Sequence, residues 1–325
     1  MEIGLKRLRY TFSTEIQFSD PVVEHTFVLR CQPHRRPGIR VLEDDLTVEP
    51  DMRYMRQVDG FGNKLAIGRE PLPHTCMSYR SSGLVEIDHK RSLAPGAVAA
   101  GTAGEATPGS WTAAHPIYRY PSELTRPDDA LLAFAHDVGY PLLHVAKALS
   151  GMDVSPSKDC LVSPSAQQGN GVLGIKSSAS AVEAEVNREE AFTSAVEALS
   201  HAVFEYMDYA PGTTHVRTTA AEAFAARAGV CQDFSHVLIC ILRELGIPAR
   251  YVSGLALGEG QTHAWIEAFF GDGWKGFDPT RDTLVDETYI PLAVGRDWTD
   301  CPIEQGSFIG FASQTQFVHM TVTEA

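Results

Sequence analysis

A cysteine, a histidine and an aspartate in the second half of the chain are of the residue types that carry out nucleophilic acyl chemistry. Cys231 begins the run "CQDFSHVLICILREL", His263 lies in "THAWIEAFF", and Asp278 ends the run "GWKGFD". In such a set the imidazole accepts the thiol proton, while the carboxylate fixes the tautomer of the ring and stabilises the imidazolium. The three residues are far apart in sequence, so the fold has to bring them together.

Cys231 precedes an apolar pattern that predicts a core helix over residues 232–245. The apolar stripe recurs at helical intervals and stops at Gly246, and Pro248 just beyond prevents continuation. Cys231 would lie in the first turn, where free N–H groups and the positive end of the helix dipole favour a thiolate. The alternative is a buried, inert thiol, which is common for a single free cysteine.

His263 and Asp278 lie in two runs that predict neighbouring antiparallel strands. Alternation places His263 and Trp265 on one face of the first strand. If Gly271 and Asp272 form a two-residue turn, Trp265 lies opposite Asp278 and His263 is its diagonal neighbour, whereas a three-residue turn would need a bulge. Each residue alone also has a structural interpretation, because Asp-Pro-Thr is a common strand-ending turn and a histidine beside a tryptophan is often part of a core.

These motifs together resemble the bacterial transglutaminase-like superfamily, a papain-like clan that includes predicted cysteine proteases. The resemblance covers "GVCQDFSH", "GIPARYVSG", "HAW" and "GWKGFDPT" in that order, followed by "VGRDWTDCPIEQGSFIG". It implies that Cys231 is the nucleophile, His263 the base and Asp278 the orienting carboxylate. We therefore expect a papain-like core in which the nucleophile begins a helix that packs on an antiparallel sheet.

Three further residues are candidates for the surroundings of the substrate and the oxyanion. The segment "MDYAPGTTHVRTTAAEAF" resembles the family's segment upstream of the nucleophile, which implies that Tyr209 flanks the site. Gln232 follows the nucleophile and offers a side-chain amide, although helix packing could occupy it, and Trp265 follows closely after His263. The backbone N–H of Cys231 is a reasonable oxyanion donor at a helix start.

The order of elements predicts an α+β protein with two domains. Alternating runs between turn signals predict an all-β domain over residues 1–116, which ends in a Gly/Ala-rich loop and resembles the β domain that precedes the family's core. Helices followed by antiparallel strands predict the catalytic domain over 117–325. A polar insertion at 155–190 is predicted to be either disordered or a cover near the active-site cleft.

Composition excludes several classes of partner. The net charge of −14 argues against nucleic acid, because binding to phosphates needs clustered basic residues. No apolar run is long enough to span a membrane, so we expect a cytoplasmic protein. The six cysteines form no CxxC pair and the histidines show no metal spacing, so we expect no metal and no cofactor. The oligomeric state is left open.

The predicted function is acyl transfer on a peptide or protein amide substrate. Hydrolysis of an amide or peptide bond through a thioester is the first interpretation, with a transglutaminase that passes the acyl group to an amine as the alternative. A third possibility, of a different class, is a non-catalytic binding module that retains the three residues by descent. The triad itself does not distinguish between them.

Overall fold

The computed structural model describes residues 5–88, 115–150, 178–270 and 273–325. Two short 3-10 turns, at Pro116–Tyr118 and Trp298–Asp300, accompany the regular elements. In chain order these elements are β1 (Lys6–Leu29), β2 (Ile39–Glu49), β3 (Tyr54–Val58), β4 (Lys64–Glu70), β5 (His74–Ile87), α1 (Asp129–Ser150), α2 (Ser178–Tyr206), β6 (Asp208–Tyr209), α3 (Ala220–Ala226), β7 (Ala228–Gly229), α4 (Cys231–Glu244), β8 (Ala249–Ala256), β9 (Gly258–Gly260), β10 (His263–Phe270), β11 (Gly273–Asp278), β12 (Thr283–Leu284), β13 (Tyr289–Gly295), β14 (Glu304–Ile309) and β15 (Gln314–Glu324).

The N-terminal region is an antiparallel sheet built around the long strand β1, as its alternating sequence predicts. The first half of β1 pairs with β5 and β15, and its second half pairs with β4 and β14. Along the first half, Leu8, Tyr10 and Phe12 are buried while the residues between them face outwards or are half-buried. This period of two is the pattern of a sheet with one covered face. The α+β class with a β-rich N-terminal region is confirmed.

The last two strands of the chain belong to this same sheet. β15 pairs with β1 over eleven residues, from Leu8 with Glu324 to Phe18 with Gln314, and β14 pairs with the second half of β1. The domain boundary at residue 116 stays a prediction. The N-terminal sheet nevertheless includes strands from beyond that boundary, because β14 and β15 both pair with β1. The sequence could not show this, since a strand's own pattern does not specify its partner.

The second sheet has the order β12-β11-β10-β8-β13 and lies between two apolar layers. On one face, residues such as Ile266 and Phe277 share a core with the helices. On the other face, Leu255, Ile290 and Leu292 join the core of the N-terminal sheet. Both faces of the second sheet are covered, which explains why the sequences of its strands are nearly continuous apolar runs.

α4 is the central helix, and the prediction of a core helix there is confirmed. Its side chains from Asp233 to Arg243 are all buried. The helix ends where the sequence predicts, with Gly246 at φ 79°, and Gly246 N–H donates to the carbonyl of Arg243 at 2.9 Å. The buried Arg243 guanidinium donates to the carbonyl of Ala249 at 2.9 Å, which ties the helix to the first strand of the sheet.

α2 begins earlier than the sequence pattern indicates. The predicted polar insertion at 155–190 overlaps the first part of this helix, because residues 178–190 are helical. Alanine and glutamate are good helix formers, so a polar but alanine-rich run is compatible with a helix. The rest of the predicted insertion, 155–177, lies outside the described residues. In the part of the chain that is described, no helix is long and apolar enough to cross a bilayer.

A buried ion cluster joins the N-terminal region to the second sheet. Glu267 on β10 is 2% exposed and pairs with Arg36 and with Arg250, the latter at 2.6 Å. Burial opposes the charged carboxylate, but the two guanidinium groups outweigh it and lower the pKa of Glu267 to about 2. The strand that carries His263 is therefore tied through Arg36 to the N-terminal region and through Arg250 to the neighbouring strand β8.

Candidate active site

Cys231 is the first residue of α4, and the turn that leads into the helix is closely packed. The Val230 N–H donates to the Asp233 carboxylate at 2.8 Å, and the Thr214 hydroxyl donates to the same oxygen at 2.7 Å. A Cβ on Gly229 would lie 2.5 Å from that oxygen, so this position requires glycine. Burial of Asp233 raises its pKa in spite of these hydrogen bonds. Asp233, the third residue of the helix, thus has a structural role, because its carboxylate bonds back to the N-cap residue Val230.

His263 and Asp278 are brought together by the pairing of β10 with β11. The register aligns Ile266 with Phe277 and Phe270 with Gly273. This register is compatible with the predicted two-residue turn, and residues 271 and 272 themselves lie outside the described residues. Nε2 of His263 and Oδ2 of Asp278 are 2.6 Å apart. The predicted diagonal contact is present.

Asp278 is fully buried, and each of its carboxylate oxygens accepts hydrogen bonds. One oxygen accepts from His263 and from the Tyr289 hydroxyl, the latter at 2.9 Å. The other accepts from the backbone N–H groups of Thr280 at 3.0 Å and Arg281 at 3.2 Å. These hydrogen bonds fix the carboxylate in one orientation.

The environment of His263 favours the imidazolium. Burial alone would disfavour the charged ring, but the hydrogen bonds and charges of Asp278 and Cys231 outweigh it and raise the pKa of His263 to about 9. Because Nε2 is bonded to Asp278, Nδ1 is the ring nitrogen available to the thiol. The thiol of Cys231 is close enough to the ring to act on it as a hydrogen-bonding partner and as a charge. The structure thus brings all three predicted residues together.

Two backbone N–H groups beside the thiol precede the first hydrogen bond of the helix. Asp233 N–H donates to the carbonyl of Val230 at 2.8 Å and begins the helical ladder. The N–H groups of Cys231 and Gln232 come before it and have no carbonyl within the helix to bond. Cys231 itself is half-buried, so a group bound at its sulfur lies at the positive end of the helix dipole.

The three residues predicted around the substrate have different positions. Tyr209 is 58% exposed and pairs through its backbone with Gly229; partial burial and the neighbouring Cys231 raise its pKa. The Gln232 amide donates to the carbonyl of Val216 at 3.1 Å, so one of its hydrogens is already used. Trp265 is completely buried, 6.3 Å from the His263 ring between centroids, and supports that ring from within the core.

Tyr289 is a residue of the site that sequence reasoning did not single out. It begins β13, and its hydroxyl donates to the same oxygen of Asp278 that contacts His263. Its ring packs edge-on against Trp265 at 5.2 Å between centroids. Burial and the Asp278 charge raise its pKa far above the usual range, so it is a hydrogen-bond donor at neutral pH. The apolar run "YIPLAVG" indicates a strand, but only pairing across the sheet shows what its first residue contacts.

We expect Tyr289→Phe to lower kcat/KM for amide hydrolysis by about tenfold, the value of one hydrogen bond to a charged group. The ring and its packing remain, so the loss comes from Asp278, which would hold the imidazole less firmly. Steady-state kinetics on a peptide amide measure this decrease in kcat/KM. Tyr120→Phe, which removes a hydroxyl from an exposed tyrosine, is the control. Wild-type kinetics in Tyr289→Phe would contradict this role.

Comparison with protein families identifies the class to which this fold and site belong. Residues 180–279 match the model of the transglutaminase-like superfamily, and residues 8–86 match that of the bacterial transglutaminase-like N-terminal region. The first match contains the cysteine, the histidine and the aspartate of the site. The chain belongs to the transglutaminase-like superfamily. More narrowly, it carries the N-terminal region typical of the bacterial members.

Individual relatives extend this similarity over nearly the whole chain. Uncharacterised proteins of Mycobacterium bovis and Mycobacterium tuberculosis are each 27% identical over 323 residues, covering 93% of this chain and 88% of the relative. A Mycobacterium leprae protein is 45% identical over 114 residues, which is 32% of this chain and 40% of that protein. The crystal structure of a proposed cysteine protease from Cytophaga hutchinsonii, 21% identical, has a TM-score of 0.66 over 99% of this chain and 91% of its own. It shares the fold.

Proposed function

We propose that the protein is a cysteine-dependent acyl-transfer enzyme that hydrolyses amide or peptide bonds through a thioester on Cys231. One observation carries the proposal: the Cys231 thiol at a helix start adjoins an imidazole whose other nitrogen is bonded to a buried carboxylate, at 2.6 Å. This is the arrangement that activates a thiol and stabilises the imidazolium that results. Membership of the transglutaminase-like superfamily supports it.

In the first half of the reaction His263 holds the thiol proton and the thiolate attacks the substrate carbonyl. The new carbon–sulfur bond forms as the carbonyl electrons move to oxygen, where the N–H groups of Cys231 and Gln232 can donate to the oxyanion. The carbon–nitrogen bond then breaks, and the imidazolium gives its proton to the leaving amine. Asp278 keeps the ring in the orientation that both transfers need.

In the second half water resolves the thioester. The neutral imidazole takes a proton from water, the resulting hydroxide adds to the thioester carbonyl, and the carbon–sulfur bond breaks to release a carboxylic acid. The sulfur leaves as the thiolate, paired again with the imidazolium. An amine in place of water would give transamidation, which makes a transglutaminase the second candidate.

Hydrolysis is preferred because the chain offers little to a second protein substrate. Cross-linking needs protein-sized donors and acceptors to reach one half-buried sulfur. A chain of net charge −14 repels other acidic proteins at long range. Water needs no docking surface, so small peptides and water fit the site best.

One assay separates the two outcomes and tests the proposal. The protein is incubated with a peptide library and a labelled primary amine, and products are followed by mass spectrometry. We expect cleaved or deamidated peptides without amine incorporation, and loss of both in Cys231→Ala. Abundant amine adducts that depend on Cys231 would show that the enzyme is a transglutaminase rather than a hydrolase. The absence of any product would contradict both and favour the non-catalytic binding module.

A further inference from the structure

Arg281 is a partly exposed cation beside Asp278 that the proposed reaction does not use. It follows directly after Asp278-Pro-Thr, and its side chain is 46% exposed. Its backbone N–H is committed to Asp278 at 3.2 Å, which fixes the residue at the edge of the triad. The guanidinium carbon lies 5.7 Å from the centroid of the Tyr289 ring. The charge is thus held close to the reacting groups while half of the side chain faces solvent.

The charge of Arg281 is only weakly matched by carboxylates. Within the described ranges, the one carboxylate at ion-pair distance is Asp278, whose Oδ2 is 3.9 Å from the guanidinium Nε. That oxygen already accepts from His263 and Tyr289 at shorter distances. The next acidic residue, Asp282, is paired with His201 at 2.8 Å. A guanidinium with a distant, fully occupied partner retains its capacity for a closer anion.

Tyr209 lies beside the turn that leads into Cys231. Partial burial and the charge of Cys231 raise the pKa of Tyr209, while the charge of Arg281 acts in the opposite direction. The backbone of Tyr209 pairs with Gly229, two residues before Cys231, and its side chain is exposed. Because Tyr209 keeps its proton, its hydroxyl and the Arg281 guanidinium are both hydrogen-bond donors. Two donors and a positive charge suit a carboxylate.

We propose that Arg281 determines specificity by binding a carboxylate of the substrate next to the scissile amide bond. The substrate class is then acidic peptides or amides, in which a side-chain or terminal carboxylate adjoins the bond that is cleaved. In a chain of net charge −14, which repels acidic ligands at long range, such a local cation is needed to admit them. This inference rests on the proposed function and names its substrate.

Two readouts test the inference, one with turnover and one without. In the first, kcat/KM is measured for peptide pairs that differ only by glutamate or glutamine on either side of the scissile bond. We expect the glutamate-to-glutamine ratio to fall about tenfold in Arg281→Gln, the value of one charge-assisted contact, and to recover partly in Arg281→Lys. Arg217→Gln, which removes an exposed arginine paired with Glu123, should keep the wild-type ratio.

The second readout compares alkylation of Cys231 by iodoacetate, which carries a carboxylate, and by neutral iodoacetamide. Cys76, an exposed cysteine of the same chain, gives the reference rate in each sample. The iodoacetate-to-iodoacetamide ratio at Cys231 should fall about tenfold in Arg281→Gln and stay constant at Cys76. An unchanged ratio, or an equal loss of both rates, would overturn the inference in favour of a purely positioning role. Failure of the proposed function would appear differently, as a wild-type Cys231 slower than Cys76 with both reagents.

Discussion

Replacing Cys231 by alanine is expected to lower kcat/KM for peptide hydrolysis by at least about 10³-fold, because no other group in the site can form the thioester. The substitution removes one half-buried sulfur at a helix start, so folding should be retained. Hydrolysis of a fluorogenic peptide amide measures the effect, and circular dichroism checks the fold. Residual catalysis from the oxyanion donors and from binding sets the lower limit.

The matched control for this variant is Cys76→Ala. Cys76 lies on β5 in the N-terminal sheet and is exposed, so its removal should change neither activity nor stability. Cys240 and Cys301 are unsuitable as controls because both are buried, and burial raises the pKa of each thiol above its ordinary value. Equal activity of Cys231→Ala and Cys76→Ala would contradict nucleophilic catalysis by Cys231.

Asp278→Asn is expected to lower kcat/KM by about 10²- to 10⁴-fold at neutral pH, since an amide neither stabilises the imidazolium nor fixes the same tautomer. The pKa of His263 should fall from about 9 towards its ordinary value when the carboxylate charge is removed. Alkylation of Cys231 by iodoacetamide near neutral pH should slow as a result. Hydrolysis and alkylation, each quenched at fixed times on the same protein preparation, measure the decrease in kcat/KM and the slower labelling of Cys231.

The same variant tests the pH dependence of stability. A histidine whose pKa is raised in the folded state stabilises the protein most below its unfolded pKa of about 6.5, and this contribution is lost as the pH rises through about 9. The free energy of unfolding of the wild type should therefore decline across this interval, and the decline should be absent in Asp278→Asn. Asp286→Asn, which changes an exposed carboxylate, is the control. An identical decline in all three proteins would contradict the His263–Asp278 pairing.

The helix start at Cys231 and the pairing of His263 with Asp278 could be predicted from local sequence patterns, whereas the roles of the three residues came from the family resemblance. The helix after Cys231 follows from an apolar stripe that stops at Gly246, and α4 runs from Cys231 to Glu244, within one residue of the predicted 232–245. The diagonal contact of His263 with Asp278 follows from a two-residue connection and the alternation of strands. Turn length and strand periodicity depend on residues that are close in sequence, so a single sequence is enough to place His263 and Asp278 on the same face of the sheet.

The contacts that depend on distant partners could not be predicted in this way. Tyr289 reaches Asp278 because β13 pairs with β8 on the far side of β10, and nothing near Tyr289 in sequence indicates that order. β15 returns to β1 for the same reason. Burial of Trp265 required knowing that both faces of the second sheet are covered. Sequence patterns specify faces and turns, whereas sheet order is decided by the packing of the whole chain.

The most direct measurement of the central claim is to trap the acyl group on the enzyme. Wild-type protein is mixed with an activated acyl substrate, quenched in acid within the first turnover, digested and mapped by mass spectrometry. We predict a mass increase equal to the acyl group on the peptide that contains Cys231, which disappears as substrate is exhausted and is absent from Cys231→Ala. Turnover without any adduct at Cys231, or an equal adduct in Cys231→Ala, would contradict catalysis through a thioester at this residue.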